Sequence, residues 1–259
     1  MKAVIFAGGF GTRISEESHL KPKPMIEIGG RPILWHILQL YAAHGVREFV
    51  ICLGYRGYQI KEYFLNYYYH HADLTVDLAT NAVTVHGSAA HDLRVTLVDT
   101  GLETQTAGRL QRIRPYVAGE RFHLTYGDGL ATIDLKALEA FHVAHGKTAT
   151  LTAIQPGSRF GVLELGPSGH VQAFREKPVD DGNWINGGFF VLEPNVFDYL
   201  PPNADAVPWE RAPLERLAAE GQLVAYRHTG FWKAMDTLRD RQELEKLWAE
   251  GAPWQPRQA

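Results

Sequence analysis

Cysteine is nearly absent: Cys52 is the one copy in 259 residues. That excludes an internal disulfide and a cysteine-built zinc site. Cys52 lies in the apolar run Phe49-Val50-Ile51-Cys52-Leu53, where a thiol reads as a small buried hydrophobe. Long apolar runs are missing too. No segment reaches the ~18 residues of a membrane span, and the chain begins with a strand-like run that lacks a signal-peptide pattern. Charge excess is also lacking: a net charge of −3 gives no reason to expect nucleic acid or an anionic membrane as partner. No serine sits on a Gly-x-Ser-x-Gly elbow, which speaks against acyl transfer. Histidine is plentiful at 12 copies, but His142 and His145 on one expected helix and the adjacent His70 and His71 form no metal motif. They read as structural or surface residues. A reducing cytoplasm is the expected compartment.

Against these absences stands a dense N-terminal motif. The strand-like run Ala3–Ala7 leads into Gly8-Gly9-Phe10-Gly11-Thr12-Arg13, and Lys21-Pro22-Lys23-Pro24 follows. Glycines let the backbone approach a ligand and turn several N–H groups toward one anion. Arg13 offers a fork of donors suited to phosphate. Two prolines restrict the backbone around Lys23, so its ammonium loses little entropy when held against a phosphate. A Gly-rich turn followed by a basic loop is the plainer reading of the same residues. No Lys follows the last glycine, so this is not a Walker A loop, and Ile14 stands where a dinucleotide fingerprint needs a small residue.

With 45% apolar residues the chain can bury a sizeable core. A single domain over 1–259 is expected, in two halves of about 1–147 and about 148–250. In the first half, strand-like runs at Lys2–Ala7, Glu48–Leu53, Thr75–Leu78, Arg94–Val98 and Phe122–Tyr126 alternate with helical patterns. The helices are expected at Pro32–His44, Tyr58–His71, Gly108–Tyr116 and Leu135–His145. That alternation predicts an α/β fold with a doubly wound, mostly parallel mixed sheet. In the second half, runs at Thr148–Ile154, Val162–Leu165, Val171–Arg175, Phe189–Leu192 and Val224–Arg227 predict a β-rich extension and lid, closed by a helix over Thr237–Trp248. The aromatic stretch Tyr63–Tyr69 reads as core plus surface, or as an oligomer contact.

Asp128 and Asp236 each follow an apolar run. Carboxylates at two strand ends can converge on one hard cation, and Mg²⁺ takes one or two carboxylates plus substrate phosphate oxygens. A helix N-cap is the plainer role for either, since Asp236-Thr237 precedes a helical pattern. Arg175-Glu176-Lys177-Pro178 and Asn186-Gly187-Gly188 add a possible cation and sugar-binding groups, although an exposed Glu-Lys-Pro turn is ordinary by itself.

These segments, with Val98–Gly101, Thr106–Arg109, Tyr126–Gly129, Ile185–Gly188 and Gly230–Thr237, resemble the sugar-1-phosphate nucleotidylyltransferases, and within them the cytidylyltransferase branch. The resemblance runs from Met1 to about Trp254. It implies a Rossmann-like nucleotidyltransferase fold, with the first half binding nucleotide and the second binding sugar phosphate. It also implies CTP and glucose 1-phosphate as substrates, Mg²⁺ as cofactor, a homo-oligomer, specifically a hexamer, and a place in surface-polysaccharide synthesis. Carried over residue by residue, the catalytic set is Arg13, Lys23, Asp128 and Asp236, the last two holding metal. Phe6, Ala7, Gly8, Gly9, Gly11, Thr12, Thr106, Gly108, Arg109 and Gly127 would join Arg13 and Lys23 around the nucleotide. Gly161, Glu176, Lys177, Asn186 and Gly187 would meet the sugar phosphate. Ala107 and Phe6 depart from the branch, which usually has Gly and Leu there. Alternatives are the same reaction with UTP or dTTP, or a non-catalytic sensor of nucleotide or sugar phosphate. A dinucleotide-dependent oxidoreductase is disfavoured by the missing fingerprint.

Overall fold

The computed structural model describes residues 1–14, 19–87, 92–117, 119–156, 162–165, 171–175 and 184–255; of Arg13, His71, 162–165 and 171–175 only the backbone is described. Seven strands form the main sheet: β1 (Lys2–Phe6), β2 (Glu48–Leu53), β3 (Arg94–Asp99), β4 (Phe122–Tyr126), β5 (Ala149–Ile154), β6 (Ile185–Leu192) and β7 (Leu223–His228). Their spatial order is β7-β5-β6-β4-β1-β2-β3. Neighbours run parallel except β6, which is antiparallel to both β5 and β4. The chain steps outward from β1 through β2 to β3, then jumps back to β4 on the other side of β1. This is a topological switch point, where open α/β sheets place their ligands.

Among the described residues seven α-helices flank the sheet: α1 (Ile33–Ala43), α2 (Gly57–Leu65), α3 (Thr106–Arg112), α4 (Arg114–Val117), α5 (Leu135–His145), α6 (Ala212–Ala219) and α7 (Leu238–Ala249). Side chains alternate across a strand, so successive β1 residues feed opposite faces. Ala3 and Ile5 join the core built with Ile37 of α1, Ile60 of α2, Leu138 of α5 and Leu244 of α7. Val4 and Phe6 join the other, with Leu110 of α3, Val117 of α4 and Leu217 of α6. Both faces are therefore covered, as a doubly wound sheet requires. Cys52 is buried in the second core, and burial pushes its thiol up, which makes it inert.

Several sequence expectations shift. Thr75–Leu78 is not part of the main sheet. Asp73–Asp77 pairs instead with Ala82–His86 in an exposed antiparallel hairpin. Asp77 ends that strand by accepting from the Ala79 and Thr80 N–H groups, and Leu78 is 91% exposed. The helix expected over Tyr58–His71 stops at Leu65, and only a short 3-10 turn follows at Tyr69–His71. The helix expected over Gly108–Tyr116 starts earlier, at Thr106, and breaks before Arg114. Pro115 has no N–H for a carbonyl four residues back, which accounts for the break. β6 begins four residues before the expected Phe189. The strands Val162–Leu165 and Val171–Arg175 form an antiparallel pair of their own. The expected structural role of the histidines fits His142, which is buried and bonded to Thr150 Oγ1 at 2.7 Å and to Glu193 at 3.2 Å. Among the described residues no helix is long and apolar enough to cross a membrane.

The final helix is fastened by its first turn. Thr237 is the N-cap, its side chain accepting from Asp240 N, while Asp240 receives the Thr237 N–H at 2.9 Å. Such a capping box satisfies two otherwise orphaned donors. Thr237→Ala is expected to lower unfolding free energy by about 1 kcal/mol in urea denaturation.

Candidate active site

The site grows from the carboxyl ends of β1 and β4. Past β4 the chain makes a two-stranded ribbon, Gly129–Ala131 against Trp232–Ala234, with Gly129 opposite Ala234. Met235 N–H donates to Asp128 O at 2.9 Å. This ribbon brings Asp128 and Asp236, far apart in sequence, to one point. The cap role that a sequence reading allows for Asp236 belongs to Thr237. The backbone N–H of Asp236 is held by Asp240, which is 4% exposed and also paired with Lys233 at 3.0 Å. The Asp236 carboxylate is thereby turned toward the cleft.

Lys23 supplies the cation there. Lys23–Met25 forms a single 3-10 turn after Pro22, with Pro24 and Met25 buried. The Lys23 ammonium bonds Asp236 Oδ1 at 2.8 Å and also contacts Asp128 Oδ2. Burial alone would lower the Lys23 pKa, but the two carboxylates outweigh it and hold it above its ordinary value.

Arg109 lies almost wholly buried behind the glycine loop, at 4% exposure. Its guanidinium donates to Leu53 O at 2.9 Å, Thr100 Oγ1 at 2.8 Å, Gly101 O at 2.9 Å, Gly8 O at 3.0 Å and Leu102 O at 3.3 Å. A Cβ on Gly8 would lie 2.1 Å from Arg109 Nη1, so glycine is required for this approach. At Gly127 a Cβ would meet Phe6 O at 2.9 Å, and its N–H donates to that same oxygen. Arg109 lines the cleft but spends its donors on the loop, so its evident work is to shape the site. The turn at Gly11, with φ +66°, aims the following 3-10 turn Thr12–Ile14.

Two cavities meet at this point. One, of about 310 Å³, is lined by Phe6, Ala7, Gly8, Gly9, Gly11, Thr12, Lys23, Thr106, Arg109 and Gly127 from the expected nucleotide set. The other, of about 290 Å³, contains Asn186 and Gly187 from the expected sugar set. Tyr126, Asp128 and Asp236 belong to both. Asn186 Oδ1 accepts from Gly188 N–H at 2.8 Å, and Gly187 O accepts from Trp232 Nε1 at 2.7 Å, which fixes that wall.

Gly108 is a correction. It faces the segment after β6, not the cleft: a Cβ there would come 2.6 Å from Asp205 Cα, so the glycine serves helix packing. Gly161, Glu176 and Lys177 lie outside the described residues, as does the side chain of Arg13. Sequence reasoning missed Glu210, which accepts from Tyr126 Oη and from Thr106 Oγ1 at the seam of the two cavities. It sits in a Pro-rich connection with no motif, and the one faint signal is a carboxylate directly after the apolar Trp209.

Residues 2–240 match the family described as nucleotidyl transferase. The chain is 56% identical over 256 residues to the glucose-1-phosphate cytidylyltransferase of Salmonella typhi, covering 98% of each. It is 28% identical over 247 residues to the mannose-1-phosphate guanyltransferase of Schizosaccharomyces pombe, over 93% of this chain and 62% of that protein. Among solved structures, a UDP-glucose pyrophosphorylase complexed with UDP-glucose superposes with a TM-score of 0.68 at 16% identity, over 96% of this chain and 98% of that one. HddC from Yersinia pseudotuberculosis gives 0.67 at 20% identity, over 95% and 99%. At these identities the solved structures share the fold.

Two expectations follow from the geometry. Arg109→Met takes a charged donor from five buried or half-buried oxygens, of which Leu53 O and Gly8 O keep the Thr100 and Tyr55 N–H groups. It is expected to cost about 3 kcal/mol or more in urea denaturation, with Arg109→Lys restoring little of it. For Lys23 the folded pKa is raised, so its pairing stabilises fully below the ordinary lysine value and is lost as pH rises through the folded one. The urea-midpoint gap between the unmodified chain and Lys23→Met is therefore expected to hold up to about pH 10 and to narrow at higher pH.

Proposed function

The chain belongs to the nucleotidyl transferase family, and we propose how its residues carry the reaction of that family's cytidylyl branch. The enzyme transfers the cytidylyl group of CTP to glucose 1-phosphate, giving CDP-glucose and pyrophosphate. The substrates rest on 56% identity over 98% of the chain. For the chemistry, the observation that carries the reading is the seam where two cavities share Tyr126, Asp128 and Asp236 beside Lys23.

A phosphate monoester has its second pKa near ~6, so the sugar phosphate is already a nucleophile at neutral pH. The obstacle is repulsion. Two unit charges at 4 Å repel by roughly 4 kcal/mol at an effective dielectric of 20, and a triphosphate presents several. Fixed cations and backbone donors therefore matter more than an acid or base. Lys23 and Arg13 are assigned to the phosphates, with the Gly8–Gly11 amides beside them. The larger group of cleft residues on the Phe6 and Thr106 side is assigned to the nucleotide. Asn186 and Gly187, with Glu176, Lys177 and Gly161, are assigned to the sugar phosphate. In-line geometry follows if the two substrates enter from opposite sides of the seam.

A divalent metal is general to the family, and Mg²⁺ is the ion inferred here. Asp128 and Asp236 already converge on one cationic group, the Lys23 ammonium. Their donor set of two carboxylates suits a small hard ion that completes its shell with phosphate oxygens and water. When bound, the ion neutralises charge on the triphosphate and on the departing pyrophosphate. The proposal extends to a cytoplasmic homo-oligomer, a hexamer by resemblance.

The purified chain with Mg²⁺, glucose 1-phosphate and each of CTP, UTP, dTTP, ATP and GTP is expected to release pyrophosphate with CTP. Release with a different nucleotide alone would reassign the base, and none at all would favour a sensor. Asp236→Ala is expected to reduce turnover by about 10³-fold or more, with a modest change in thermal midpoint. Near-normal turnover would remove Asp236 from the metal site.

A further inference from the structure

The segment after β6 crosses from the sugar side of the molecule to the start of α3. It is fastened there by Gln105 N–H to Asp205 O at 2.9 Å, Ala107 N–H to Val207 O at 3.2 Å, and the Arg112–Asp205 ion pair at 2.6 Å. Trp209 is fully buried beside them. The segment is thus attached without help from Glu210, whose side chain is exposed. An exposed carboxylate loses little by remaining in water, yet both Glu210 oxygens are engaged. Thr106 Oγ1 accepts from Trp209 N–H at 2.7 Å, which turns its hydroxyl proton to Glu210 Oε2, also at 2.7 Å. Tyr126 Oη donates to the other oxygen.

The three residues span the seam. Thr106 lines the nucleotide cavity, Glu210 lines the sugar-side cavity, and Tyr126 lines both. The Tyr126 ring is already confined: a Cβ on Gly188 would lie 2.6 Å from its Cδ2, and Phe6 and Phe190 pack at centroid distances of 6.0 and 6.2 Å. What the packing leaves open is the direction of the phenol hydroxyl.

We infer that Glu210 is a positioning residue for the transfer, locking Tyr126 at the seam against Thr106 so that the two substrates meet in line. The inference rests on the nucleotidyl-transfer reading above. A misplacement of about 1 Å in such a reaction can cost roughly 10²-fold, so the loss should fall on the chemical step and leave substrate capture largely intact.

The experiment measures steady-state kinetics of Glu210→Ala, Glu210→Gln and Tyr126→Phe with glucose 1-phosphate and whichever nucleotide the unmodified chain turns over. A wrong base assignment then leaves this test intact. Glu210→Ala is expected to lower kcat about tenfold or more, with both KM values within about threefold and an unchanged thermal midpoint. Glu210→Gln can still accept from Tyr126 and can donate to Thr106, so it should recover to within about threefold of the unmodified kcat. Tyr126→Phe should reproduce the alanine defect, and the double variant should be no worse than the poorer single. Unchanged kcat in Glu210→Ala would overturn the inference. So would a glutamine variant as impaired as alanine, which would make the charge, and not the positioning, the active property. Should the alanine variant fail to fold, the Tyr126→Phe and glutamine results decide the matter by the same criteria.

Discussion

The ammonium of Lys23 between the carboxylates of Asp128 and Asp236 is the interaction on which the site depends. The cation held between them offsets the repulsion of two like charges gathered at one point. The same arrangement draws three distant pieces of chain together: the proline-bracketed arm, the turn after β4, and the ribbon that leads into α7. Each piece is anchored by its own means. Pro24 and Met25 are buried, Gly127 is tied to Phe6, and the Thr237–Asp240 capping box holds the backbone behind Asp236. Charge is thereby organised before any substrate arrives, which is what a reaction between two polyanions requires.

Arg109 plays a complementary part. A guanidinium in a buried setting must have its N–H groups satisfied, and here they are satisfied by oxygens of the loops that end β1, β2 and β3. The cation that a sequence reading assigns near the nucleotide is thus the strut of the glycine loop. The glycines at 8 and 54 make room for it: a Cβ on Gly54 would come 2.5 Å from Gly8 O and 2.6 Å from Arg109 Nη1. Close backbone approach in this loop serves the protein's own arginine as well as any phosphate.

Much of this was legible in the amino-acid order. Alternating apolar runs gave the bounds of β2 and β4 and of α5, where Asp134 caps the start and Gly146 turns the end at φ +63°. Thr75–Leu78 misled because a short β-branched run pairs as well in an exposed hairpin as in a sheet. The early start of α3 escaped notice because its first turn is held by a segment roughly a hundred residues away, as the Ala107 bond to Val207 shows. Glu210 was invisible for the same reason: an isolated glutamate in a loop has no local pattern, and its partners Thr106 and Tyr126 come from elsewhere.

The sequence by itself determined the chemical inventory: a glycine loop after the first strand, cations with restricted backbones, two acidic residues at strand ends, and an alternation that demands a doubly wound sheet. These are local properties, set by residue type, spacing and period. Tertiary structure decided which of those residues face one another. It paired Gly129–Ala131 with Trp232–Ala234 and so joined Asp128 to Asp236. It also turned Gly108 toward Asp205 and away from the cleft, and it placed Tyr126 where two cavities meet. Such juxtapositions come from strand pairing and helix packing between segments distant in sequence, and no local pattern encodes their register.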